Sequence, residues 1–102
     1  MKDKVCFCFQ LENNLIARLH DNLAPLRAKA GLSQGELSKL VGISRQTYSA
    51  IESGNKTMSW NVYLSLMFFY YFNNATNPLL RQLGLYPDEF IEAINGGKTT
   101  EC

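Results

Sequence analysis

Residues 32–54 read Leu32-Ser33-Gln34-Gly35-Glu36-Leu37-Ser38-Lys39-Leu40-Val41-Gly42-Ile43-Ser44-Arg45-Gln46-Thr47-Tyr48-Ser49-Ala50-Ile51-Glu52-Ser53-Gly54, and this stretch decides the fold. Glu36 follows Ser33 by three positions, the capping-box spacing of a helix start. Leu37, Leu40 and Val41 supply an apolar face, and Gly42 stops the segment. Ser44 then caps a second short helix, with Tyr48 and Ile51 spaced for a core and Gly54 closing it. The connection at Gly42-Ile43 is too short for an antiparallel pair. The two helices therefore cross steeply around Ile43, as a helix-turn-helix.

Upstream, Leu11, Leu15, Leu19, Leu23, Leu26 and Ala30 recur at helical spacing and are closed by Gly31. Pro25 lies inside this run, so it predicts a kink or a fresh start near Asp21 or Asn22. Residues 3–9 alternate, with Val5, Phe7 and Phe9 on one side and Cys6 and Cys8 on the other. That pattern predicts a short N-terminal strand, with a helical start as the competing reading. Downstream, Ser59 caps a helix over 60–72. Asn77-Pro78 opens a short helix closed by Gly84, and Pro87-Asp88-Glu89 opens a last one running to about Asn95. The expected fold is all-α, a bundle of five to six helices with the short strand in front. Residues 1–19 form an N-terminal extension, read as a dimerisation strand or helix, 20–72 the helix-turn-helix domain and 73–102 a C-terminal helical extension, with dimerisation expected through the extensions.

The 102 residues, 46% of them hydrophobic and 19% charged, describe a globular chain with a core. The longest apolar run, Val62 to Phe72, is 11 residues broken by Ser65. A membrane span needs about 20. The opening Met1-Lys2-Asp3-Lys4 lacks the pattern of a secretory signal, so a cytoplasmic protein is expected. Cys6, Cys8 and Cys102 have no disulfide framework spacing and are read as free thiols. With His20 the single histidine, neither a metal site nor a cofactor is expected. No nucleophile–histidine constellation or glycine-rich phosphate loop appears, which argues against an enzyme. Net charge is +1, but Arg27 to Lys56 carries five basic residues against two acidic ones. The middle of the chain is thus the face for an anion such as a phosphate backbone.

From Leu26 to Gly54 the chain resembles the phage-repressor-type (XRE/Cro-C1) helix-turn-helix family, a lambda-repressor-like fold. The residues that carry the likeness are Leu32-Ser33-Gln34, Gly42-Ile43-Ser44, Ile51-Glu52 and Gly54. The likeness covers about residues 20–72. It implies binding of double-stranded DNA, usually as a dimer on a palindromic operator. By the same resemblance, Gln34 touches a phosphate and braces the recognition helix. Ser44, Arg45, Gln46 and Thr47 form that helix's exposed first turn, with Ser49 and Ala50 one turn on. Arg27 and Glu52 match a structural pair tying an earlier helix to the recognition helix. Met58 replaces a frequent proline, and Tyr48 and Trp60 replace aliphatic residues.

The chemistry suits those roles. Arginine can pair with guanine and glutamine with adenine, so Arg45 and Gln46 are the expected base readers. Ser44 and Thr47 suit phosphates or a thymine methyl. The free amides at the Ser33 and Ser44 helix starts attract phosphate, and Lys39 and Lys56 add attraction that salt weakens. Plain alternatives stand beside each role: Ser33 and Ser44 as caps, the others as solvated surface residues. The helix over 60–72 is apolar nearly all round. Trp60, Tyr63, Leu64, Met67, Tyr70 and Tyr71 are expected to face the helix-turn-helix, and Val62, Leu66, Phe69 and Phe72 another cover. The functional expectation is a homodimeric repressor. Its alternatives are an antitoxin holding a toxin partner, or a protein–protein adaptor of the same fold.

Overall fold

The computed structural model describes residues 2–96, with backbone alone for 2–9. Among the described residues seven helices follow one another: α1 (Lys2–His20), α2 (Leu23–Ala30), α3 (Gln34–Val41), α4 (Arg45–Ser53), α5 (Trp60–Phe72), α6 (Asn77–Gln82) and α7 (Asp88–Ile94). Cys102 lies outside the described residues.

The expected N-terminal strand is overturned. Residues 3–9 belong to α1, which runs without a break to His20. A lone strand leaves its backbone groups unpaired, whereas a helix satisfies them within the segment. The leucine-spaced run of 11–30 divides at Asp21-Asn22, the fresh start that Pro25 allowed. Pro25 then sits in the first turn of α2, where its missing N–H breaks no intrahelical bond. That division brings the count to seven.

The caps of the central helices follow their side chains. Ser33 Oγ accepts from the Glu36 amide at 3.0 Å, and Glu36 Oε1 accepts from the Ser33 amide at 2.9 Å. Ser44 Oγ accepts from the Thr47 amide, and Ser59 Oγ from the Val62 amide. Gly42 ends α3 at φ 81°, in the left-handed region where a Cβ is strained. The amides of Gly42 and Ile43 both donate to the Ser38 carbonyl, closing the turn in two bonds.

One apolar cluster holds the helices together. Leu15 and Leu19 of α1, Leu23 and Leu26 of α2, Leu37 of α3, and Tyr48 and Ile51 of α4 meet Tyr63, Leu66, Met67 and Tyr70 of α5. Leu80 of α6 and Leu85 beyond it seal the far side. Met58, where the family often has proline, is buried in this cluster. The Trp60 ring stacks on Tyr63 at 4.9 Å and meets Phe90 of α7 edge-on at 5.4 Å. The α5–α6 corner is closed by Thr76, whose buried hydroxyl donates to the Tyr70 carbonyl at 2.7 Å.

The inward face of α5 differs from expectation. Leu66 is fully buried at its centre, while Leu64 and Tyr71 are exposed. A helix apolar nearly all round has no periodicity that points to its core, so its neighbours choose the face.

Candidate nucleic-acid interface

Helix α4 is anchored on one side and open on the other. Tyr48 and Ile51, three residues apart, are fully buried. Arg45 and Gln46 are exposed in the first turn, and Ser53 is exposed in the last. Thr47, Ser49 and Ala50 are half-buried. The Thr47 hydroxyl accepts from Ser44 Oγ at 2.9 Å, so the cap is braced from within the turn.

The starts of α3 and α4 lie side by side. A Cβ placed on Gly35 would sit 3.5 Å from Cδ of Arg45. The arginine stem therefore crosses the first turn of α3 at the one position without a side chain. Ser33, Lys39, Ser44 and Arg45 line one recess there, with Gly35, Glu36, Ser38 and Ile43. The starts of α3 and α4 and the side chains of Lys39 and Arg45 border it, beside the Glu36 carboxylate, which already accepts from the Ser33 amide. Gln34, the first residue of α3, is half-buried. Lys56 is not part of this recess. It is exposed beyond α4 and lines a separate hollow with His20 and Asp21.

Helix α4 is fixed by a two-point ion pair. Arg27 Nε donates to Glu52 Oε1 at 3.0 Å, and Arg27 Nη2 donates to Glu52 Oε2 at 2.9 Å. Arg27 Nη1 also donates to the Leu32 carbonyl, tying α2 to the entry of α3. The side chains are 22% and 13% exposed, so water screens the pair weakly. The guanidinium holds the Glu52 carboxyl below the usual carboxylate range against the opposing push of burial. Burial pushes the phenols of Tyr48 and Tyr70 up, and among the described residues neither buried hydroxyl has a hydrogen-bond partner.

Three residues of this region were not singled out as contacts from the sequence. Gly35, inside a helix, carries a readable signal, because an interior glycine marks a close approach. Ser53 shares the open side of α4 and could have been found from helical spacing. His20 had no local signal. Its Nε2 donates to the Ile51 carbonyl at 3.0 Å, so α1 satisfies a carbonyl in the last turn of α4 across 31 residues of sequence.

The helix-turn-helix domain family matches residues 18–75, more than half of the chain. The chain belongs to this family, which falls in the phage-repressor-type (XRE/Cro-C1-like) group. No curated protein and no solved structure matches it. A domain of this family is a DNA-binding unit, and duplex DNA is the partner it supports. Among the described residues, no helix is long and apolar enough to cross a membrane.

Proposed function

We propose that this protein is a cytoplasmic transcriptional regulator that reads a palindromic operator through the major groove, as a homodimeric repressor. The observation that carries the reading is the first turn of α4. Arg45 and Gln46 stand exposed there on a helix whose opposite side is locked by Tyr48, Ile51 and the Arg27–Glu52 pair. A rigid helix with two groove-reading side chains at its start is what base discrimination requires. Ser33, Gln34, Ser44, Thr47 and Lys39 take the flanking phosphates, with Lys56 adding charge further out. Ser49 and Ala50 border the groove one turn on. One such helix touches only a few base pairs, so two copies on a symmetric site supply the affinity. Repression follows from occupying a promoter.

Selection from random duplex DNA by the purified chain tests this. An enriched palindrome is expected, lost in the Arg45→Ala/Gln46→Ala variant while its melting curve is kept. A folded chain that enriches nothing overturns the proposal.

A further inference from the structure

The outer side of α5 is apolar and is left uncovered by the described residues. Phe68 is 69% exposed, Phe72 65%, and Leu64 and Tyr71 also face outward. Leu40 at the end of α3, 61% exposed, and Ile94 at the end of α7, 65% exposed, flank them. These side chains form one patch. Leu64, Phe68 and Phe72 line the groove between α5 and the end of α3. The same three line the groove between α5 and α7. The Phe68 and Phe72 rings, 4.8 Å apart, make a ridge between two hollows.

We infer that this face is the seat of a second copy of the same chain, with α5 packing on α5 across a two-fold axis. The inference rests on the regulator reading above and says where its dimer forms. Three observations select this occupant. The first is shape. A ridge flanked by grooves complements itself, since a two-fold places each Phe68–Phe72 ridge in a groove of the other copy. The second is charge. Among the described residues, no Asp, Glu, Lys, Arg or His lines either groove, and the phenols of Tyr63, Tyr71 and Tyr86 are neutral at physiological pH, so nothing there repels an identical face or selects an oppositely charged one. The third is area. At about 200 Å² for a whole large side chain, the exposed fractions of these six residues leave roughly 600–700 Å² of apolar surface. That is at or above the largest patch of an ordinary monomer, about 300–600 Å². Doubled across a two-fold, it reaches the roughly 1,200 Å² at which stable interfaces begin. Neither Arg45 nor Gln46 lines either groove, so the pairing leaves the reading turns of both copies free.

The experiment is sedimentation equilibrium of the full chain beside the Phe68→Glu/Phe72→Glu variant, with circular dichroism of both. The expected result is a dimer for the parent and a helical monomer for the variant. Should the glutamates unfold the chain, Phe68→Ser/Phe72→Ser gives the same readout with a milder change. A monomeric parent overturns the inference and hands the face to a different protein. A dimer that survives the folded variant overturns it too, because the contact then lies elsewhere. On a selected palindrome, loss of the dimer lowers affinity roughly 100-fold or more, while a single half-site is bound equally by both forms. A dimer that depends on Phe68 and Phe72 yet enriches no DNA breaks the regulator reading and leaves the interface standing.

Discussion

Helices α4 and α5 each leave one side uncovered, and the two sides differ in kind. The open side of α4 carries Gln46 and Ser53 beside Arg45, groups that water solvates without penalty. The open side of α5 carries Leu64, Phe68, Tyr71 and Phe72, groups that water solvates poorly. Exposure alone does not make a docking surface. On α4 the argument for a partner comes from hydrogen-bonding chemistry held on a rigid frame. On α5 it comes from apolar area, and no polar contact is needed. A polar face can serve a charged, hydrated partner such as DNA. An apolar face that serves a dimer is hidden whenever the protein works.

The contrast can be broken first on the inner side of α5. Leu66→Ala is expected to cost about 3–5 kcal/mol, because a fully buried leucine leaves a cavity. Urea unfolding measures it. A loss near zero would mean that α5 is loosely packed on both sides.

The Arg27–Glu52 pair comes next. Glu52→Gln should cost about 2–4 kcal/mol at neutral pH, since the Arg27 guanidinium is left largely sheltered and unpaired. The folded carboxyl titrates below its ordinary value of about 4.3, so its contribution is complete above that pH. It fades as pH falls through the lower, folded value. Melting temperatures of parent and variant should therefore converge in acid, and parallel curves would remove the pair from the account.

On the open side of α4, Arg45→Ala should weaken operator binding by about 1–3 kcal/mol with melting unchanged. Equal loss on scrambled DNA would reduce Arg45 to a phosphate contact. Ser44→Ala should cost about 1 kcal/mol of stability through the lost cap of α4. The smallest effect is at Lys39. Its replacement by alanine should weaken all sequences alike and lower the slope of log affinity against log salt by about 1.

Much of this architecture was legible in local chemistry. The Ser33–Glu36 box, the Ser44 and Ser59 caps and Gly42 placed three helices to within a residue of where they lie. Such signals act between residues a few positions apart, so they survive in the bare sequence. The segment at 3–9 was misjudged because a short alternating run lacks length, and its helical state depends on continuity with residues 10–20. The inward face of α5 was misjudged for the opposite reason, an excess of apolar residues with no polar side to orient them.

By itself, the sequence determined the helix-turn-helix, its caps and the exposed Arg45-Gln46 turn, because capping and helical periodicity are short-range. It also paired Arg27 with Glu52, but only through resemblance, since the two lie 25 positions apart. Only the tertiary structure decided that His20 reaches the Ile51 carbonyl, that Arg45 crosses Gly35, and that Lys56 stands apart from the other cations. It alone decided that Leu66 turns inward while Phe68 and Phe72 turn out. Those outcomes depend on which surfaces α1, α3 and α6 present to α5 and leave uncovered, a competition among distant segments that spacing along the chain does not encode.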